Sequence, residues 1–235
     1  MPLFDPLHDP AFRQTAQERM QELQGERGNL ASYRSECLYH GQLLSSSLQE
    51  SYDRRRKACC EALCQWMEEV HEIFEALLQP VGVFRGAQDA GSFPKLCSAT
   101  VGLTECTLPL KTQLASFLQW ESEAEESSAY LTGLGKDAVL LQSAASGEEK
   151  ELWRGLAEGL LQMTAAQEKL QRRFSLQRSA LLSFATSALP RFQKEFSDRC
   201  DLTHEGAALS RSGLQSLLGE MEREVKALVA ELQDT

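Results

Sequence analysis

Between Ala11 and Gln79 the chain contains no proline, and apolar side chains recur at steps of three and four residues. This spacing places them on one face of an α-helix. Pro80 supplies a stop. The sequence therefore predicts a tail at residues 1–10 followed by one long helix over residues 11–79. The apolar residues of this stripe are Met20, Leu23, Leu30, Tyr33, Cys37, Leu44, Leu48, Tyr52, Cys59, Leu63, Trp66, Val70, Ile73 and Leu77.

The rest of the chain predicts two further helices. Residues 80–108 keep no period and contain several glycines and prolines, which indicates an irregular connection. The helical period returns over residues 109–145, and a capping box opens a third helix over residues 146–235. Pro190 predicts a kink in that helix. Because helices this long cannot cover their own apolar faces, we expect a single all-α domain, an elongated antiparallel bundle or coiled coil.

The end of the third helix has coiled-coil spacing. We expect this stripe to be an association seam, at which the chain binds a second copy as a homodimer or binds another coiled-coil protein. The seam residues are Leu214, Met221, Val225, Leu228 and Leu232.

Two basic clusters interrupt a chain whose net charge is −10. Their members are Arg54, Arg55, Arg56 and Lys57 on the first helix, and Lys169, Arg172, Arg173 and Arg178 on the third. Such clusters are most often solvated surface charge with ion pairs along the helix, as between Glu168 and Arg172. The alternative is a contact face for an anionic membrane surface or a protein partner. The acidic balance argues against nucleic acid as a partner.

The seven cysteines and four histidines form no recognisable catalytic or metal-binding pattern. Cys60 and Cys64 share a helix face, but a structural zinc site needs four ligands. The sequence also lacks phosphate-binding glycine loops and the nucleophile elbow of hydrolases. We therefore expect neither enzyme activity nor a cofactor or metal.

The start of the sequence lacks the basic residues and apolar core of an export signal. No stretch approaches the roughly 18 apolar residues that a membrane span needs. We therefore expect reduced thiols and a cytoplasmic or nuclear location, with attachment to a membrane surface or to the cytoskeleton as further options.

Three short stretches resemble the helical dimerisation domains of the BAR/arfaptin type. Asp9-Pro10-Ala11-Phe12 looks like the way such domains begin, and Leu108-Pro109-Leu110 is similar to the start of their second helix. Ala188-Leu189-Pro190-Arg191-Phe192 resembles the Leu-Pro kink of their third helix. The resemblance implies an antiparallel homo- or heterodimer of three-helix protomers that senses or bends membranes through a basic face.

The function that the sequence predicts is a non-catalytic scaffold or adaptor. In one version it is a BAR-like dimer in membrane trafficking. In the other it is a coiled-coil subunit of a hetero-oligomeric cytoskeletal, centrosomal or tethering complex and binds no lipid.

Overall fold

The described part of the chain is almost entirely helical. A computed structural model describes residues 30–78, 92–200 and 211–233. Its elements are α1 (Leu30–Leu78), α2 (Ser92–Ala144), α3 (Gly147–Ser183), a π-helical turn (Phe184–Ala188), α4 (Leu189–Cys200) and α5 (Arg211–Gln233). No strand occurs among these residues, which confirms the predicted all-α class.

Two of the predicted helices are helical in the structure over a shorter range of residues than predicted. The first is helical from Leu30 to Leu78, while its start and the predicted tail at residues 1–10 lie outside the described residues. The third is helical at residues 147–200 and 211–233, and residues 201–210 between them lie outside the described residues.

The predicted irregular connection at residues 80–108 is wrong over its second half, because α2 begins at Ser92. Pro94 stands in the first turn of α2, where its missing N–H would have no partner within the helix. Gly102 lies against α1, and a Cβ there would meet Ile73 Cδ1 at 3.5 Å. This packing outweighs the roughly 1 kcal/mol that a glycine costs a helix.

The contacts of the chain group into two compact units, whereas the sequence predicts a single domain. Unit 1 comprises Met1–Arg54 and Gln119–Ser175, and unit 2 comprises Arg55–Leu118 and Leu176–Thr235. Each unit therefore contains a part of α1, of α2 and of α3.

In unit 1, α2 runs antiparallel to α1. Trp120 near the start of this part of α2 donates its indole N–H to the carbonyl of Leu48 at 3.2 Å, late in the unit 1 part of α1. Cys37, early in α1, packs in one cluster with Leu134, which lies later in α2. Later residues of α2 thus contact earlier residues of α1, so the two helices run in opposite directions.

α1 and α3 of unit 1 run parallel. The rings of Tyr33 and Trp153 meet at 5.4 Å, and the Arg173 guanidinium lies 5.7 Å from the ring centre of Tyr52. Between α2 and α3 only Ala145 and Ser146 are not helical, and Gly147 follows them with a φ of 60°. This turn reverses the direction of the chain. Unit 1 is therefore an up-down-up bundle.

Glycines allow α1 and α3 to approach closely. A Cβ at Gly159 would lie 2.5 Å from Leu38 Cδ2, and one at Gly155 would lie 2.8 Å from an Arg34 guanidinium nitrogen. Since real Cβ contacts are never this short, a larger residue would force these side chains to move. The two glycines therefore leave room between the helices for the side chains of Leu38 and Arg34.

Unit 2 consists of its parts of α1 and α2, the end of α3, and the helices α4 and α5. Its core contains an aromatic cluster in which the rings of Phe74 and Phe196 lie 5.1 Å apart and those of Trp66 and Phe192 lie 5.8 Å apart. The indole N–H of Trp66 donates to the hydroxyl of the buried Thr107 at 3.1 Å, so its polar group is satisfied. These contacts bring α1, α2 and α4 together.

α5 runs antiparallel to α1 and α4. Nε2 of His71 lies 2.7 Å from a carboxylate oxygen of Glu222, and Arg191 of α4 pairs with Glu224. The last carbonyl groups of a helix have no partner within the helix. At the end of α5, Arg56 donates to the carbonyl of Leu232 at 3.2 Å, and Gln177 donates to the same carbonyl at 3.1 Å.

A π-helical turn ends at Ala188, two residues before Pro190. In it, the N–H of Leu189 donates to the carbonyl of Phe184, five residues back. A proline in an α-helix has no N–H to donate and clashes with the carbonyl four residues earlier. The wider turn relieves this conflict, and Pro190 is exposed while Phe192 and Phe196 remain buried.

We expect Gln177→Ala to lower the free energy of unfolding by about 1–3 kcal/mol, because the carbonyl of Glu231 would lose a donor. The carbonyl of Leu232 would keep only the donor from Arg56. Gln177 is only 2% exposed, so water cannot replace it freely. Urea unfolding followed by circular dichroism would measure the change. The neighbouring Leu176→Ala, at an exposed position, is the control and should stay within about 0.5 kcal/mol. Equal effects of the two substitutions would contradict this role of Gln177.

Candidate docking groove

The predicted association seam lies inside the chain's own core. Its five residues, Leu214, Met221, Val225, Leu228 and Leu232, are all buried within unit 2. A repeat of threes and fours shows that one face of a helix is covered but does not show by what. In the structure α5 contacts α1 and α4 through the pairs His71–Glu222 and Arg191–Glu224, and its seam is buried, so the seam is not available as a surface for a second chain.

The first basic cluster is divided between structural and exposed side chains. Arg55 donates to the carbonyl of Ser116 at 2.9 Å, and Arg56 holds the end of α5. Arg54 and Lys57 are exposed, and Lys57 lies 3.7 Å from Glu61. The structure therefore does not bring these four residues together as one basic face.

The second cluster is divided in the same way. Arg173 is partly buried against Tyr52, while Lys169, Arg172 and Arg178 are exposed. Arg172 lies 3.5 Å from Glu168, which confirms that predicted ion pair. Arg178 belongs to unit 2 and the other three residues to unit 1.

The thiols differ widely in burial. Cys37, Cys59 and Cys200 are buried, Cys60 and Cys106 are half-buried, and Cys64 and Cys97 are exposed. Burial raises the pKa of Cys37 to about 11 and that of Cys59 to about 12. Among residues 30–78, 92–200 and 211–233, no group of three or more histidine, cysteine or acidic side chains is arranged to hold a metal ion. No helix of these ranges is long and apolar enough to cross a membrane.

An open apolar groove lies between α2 and α3 in unit 1 and is here called the docking groove. Its volume is about 770 Å³. Its lining residues are Leu131, Thr132, Gly135, Lys136, Val139, Leu140, Gln142, Arg154, Ala157, Glu158, Leu161 and Thr164. Three of them are aliphatic side chains with most of their surface in solvent: Val139 at 54%, Leu140 at 66% and Leu161 at 69%.

The middle of the docking groove is recessed. Gly135 has no side chain, and a Cβ there would meet nothing within 4 Å. Ala157, on the opposite wall, adds only a methyl group. Leu140 and Leu161 project from the two helices that form the walls. The surface therefore offers both a recess and projecting apolar groups.

Charge is confined to a few residues of the groove. Lys136 stands on α2 and Glu158 on α3, both exposed. Arg154 lies 2.5 Å from Glu151 and 3.8 Å from Glu158, so acidic groups of its own helix balance its charge. The arrangement supplies van der Waals contact for aliphatic groups, with charges of both signs at its border.

The sequence contains a feature that indicates this groove and that the three- and four-residue spacing of apolar residues does not show. Leu160 and Leu161 are adjacent, and Val139, Leu140 and Leu141 form a run of three. A helix that buries one stripe needs only every third or fourth residue to be apolar, so adjacent leucines indicate a second apolar face. In the structure Leu160 is buried in the core and Leu161 lines the groove.

The unit 2 part of α2 also carries an exposed face with little charge. From Ser92 to Leu118 the charged residues are Lys95, Glu105 and Lys111. Val101 and Leu108, seven residues apart, are both more than half exposed. Because residues at this spacing share a side of a helix, α2 presents uncovered aliphatic groups here as well.

Reversal of charge should destabilise the fold more at the half-buried Arg173 than at the exposed Arg172 of the second cluster. We expect Arg173→Glu to lower the free energy of unfolding by about 1–3 kcal/mol, because it removes the contact with Tyr52 and places a carboxylate in a half-buried position. Arg172→Glu, at a neighbouring exposed position, should cost less than about 0.5 kcal/mol. Urea unfolding of both variants checks this. A more damaging Arg172→Glu would contradict the assignment.

Alkylation should follow thiol burial. At about pH 8, iodoacetamide should modify Cys64 and Cys97 first, while Cys37 and Cys59 should stay unmodified until denaturant is added. The buried thiols have two protections, since reagent cannot reach them and their raised pKa keeps them protonated. Peptide mass spectrometry reports the order. Early modification of Cys59 would contradict the packing of unit 2.

No family model, curated protein or solved structure matches this chain.

Proposed function

We propose that this chain is a non-catalytic helical scaffold whose docking groove binds a helix of another polypeptide chain. The observation that supports this most is the exposure of Val139, Leu140 and Leu161 around one recess. Burial of an aliphatic side chain of this size contributes about 1.5–3 kcal/mol. Three such groups give a partner several kcal/mol of favourable binding free energy.

The shape of the groove favours a helix as the ligand. Its α2 wall extends from Leu131 to Gln142, which is about 18 Å at the rise of an α-helix, and therefore accommodates about three helical turns. The walls are themselves helices, and the recess at Gly135 allows a third helix to approach the usual 8–10 Å between helix axes. Amphipathic helices bind such grooves through aliphatic residues at successive turns.

The alternative of a lipid-binding, BAR-like module has less support. Such a module needs cationic side chains that face outward together. Arg55, Arg56 and Arg173 instead contact groups within their own units. The version in which the chain is a subunit of a helical assembly needs only the apolar surface.

A photo-crosslinking experiment tests the proposal in cells. A benzophenone amino acid would replace Leu161, which lines the docking groove, and in a separate variant Gln162, the next residue. Gln162 is also exposed but lines the smaller groove between α1 and α3. We expect a discrete crosslinked protein from position 161 and a much smaller yield from position 162, because only the first lies at the proposed contact.

Equal yields at the two positions, or no crosslinked protein at either, would refute the proposed binding site. Liposomes supply the comparison for the lipid alternative. Co-sedimentation of purified protein with anionic vesicles that is lost in Lys169→Glu/Arg172→Glu, together with absence of crosslinks, would favour the membrane version instead.

A further inference from the structure

The docking groove is complementary to itself in shape. It carries projecting leucines, Leu140 and Leu161, and a recess at Gly135 on one surface. In a contact with two-fold symmetry, a residue that meets a second residue across the interface is met by it in return. A leucine of one copy can therefore fill the recess of the other, and the reverse contact forms at the same time.

The charges of the groove suit the same pairing. Lys136 and Glu158 stand on opposite walls and have opposite signs, and Glu158, which lies 3.8 Å from Arg154 of its own helix, is exposed enough to meet a second cation. A two-fold contact that sets Lys136 of one copy near Glu158 of the other makes this favourable pair twice. Elsewhere a chain of net charge −10 repels its own copy, whereas the mixed signs here avoid that repulsion.

We infer that the docking groove binds the docking groove of a second copy of this chain, with Leu161 of each copy covering Gly135 of the other. This inference rests on the proposed function, because it names the partner helix. It differs from the homodimer predicted from the sequence, which places the contact at the seam of α5. The seam is buried within unit 2, and the groove in unit 1 takes over the role of contact surface.

The size of the surface sets the strength of the dimer. Two helices side by side are about 20 Å wide, and a length of about 18 Å gives a contact patch on the order of 400 Å² on each copy. A stable interface usually buries about 800 Å² per partner. The dimer should therefore be weak and form as concentration rises, over a range of about 10–500 µM.

Sedimentation velocity of the purified full chain, from about 5 to about 500 µM, tests the inference. Gly135→Leu fills the recess and should weaken the dimer at least tenfold. Gly133→Leu is the matched control, since it adds the same side chain to the same helix at a position that is open but outside the groove lining. It should associate as the original chain does. Circular dichroism verifies that both variants fold.

A charge exchange provides a second measurement that does not depend on packing. Lys136→Glu should weaken the dimer about threefold to tenfold, because two favourable pairs become repulsive. The double variant Lys136→Glu/Glu158→Lys should recover part of the loss, since each exchanged pair regains opposite signs, while the lysine side chain at position 158 also faces Arg154 of its own helix. Restoration is specific to self-pairing, because an unrelated partner would keep its original charges.

A chain that stays monomeric over the whole concentration range would overturn the inference. So would equal association of Gly135→Leu and Gly133→Leu, or a double charge variant that dimerises no more tightly than Lys136→Glu. If the purified chain is monomeric but position 161 crosslinks to a different protein, the scaffold function stands and only self-pairing falls. If both experiments are negative, both proposals fall.

Discussion

The continuous apolar stripe on each long helix is the constraint on which the rest of this structure depends. From Trp153 to Leu181 the buried positions of α3 follow one another at three and four residues almost without exception. A helix of this kind is stable in water only while another helix covers the stripe along its whole length. In unit 1 α1 and α2 provide the cover, and in unit 2 α5 is added. The burial of the seam of α5 follows directly from this need.

Apolar stripes alone do not fix which turn of one helix faces which turn of the next, because a shift of seven residues would bury similar side chains. Buried polar contacts remove this ambiguity. Trp66 requires the hydroxyl of Thr107, and the amide of Gln167 donates to Ser127 at 2.9 Å. A shifted register would leave these groups without partners, at about 1–3 kcal/mol each. The stripes thus supply stability, and the polar contacts supply the alignment.

Much of the helical content could be predicted from spacing and from the breaks at proline and glycine. The start of α2 could not, because Pro94 and Gly102 are helix breakers only when nothing compensates them, and Ile73 of α1 compensates the second. The helix that covers a stripe could not be predicted either. The spacing of Leu228 and its neighbours is the same whether a helix of the same chain or of another chain covers them.

The candidate site was missed for a related reason. In the sequence, Gly133 and Gly135 indicate an interruption of the helical pattern. In the structure they lie on an uninterrupted helix with open space beside them, and Gly135 lines the docking groove. The basic clusters were visible as sequence, but the hydrogen bonds of Arg55 and Arg56 depend on residues 61 and 176 positions away along the chain. No local pattern contains that information.

The π-helical turn at Phe184–Ala188 is equivalent to one residue inserted into an otherwise regular helix. Before it the buried positions alternate threes and fours, and after it Phe192, Phe196 and Cys200 follow Ala188 in steps of four, with Leu189 also buried. Loss of a single residue within the turn would turn everything downstream by about 100° relative to α3. Phe192 and Phe196 would then leave the aromatic cluster and carry Pro190 toward it. The number of residues in this stretch is therefore fixed more strictly than their identity, so that the chain should tolerate substitutions here far better than deletions.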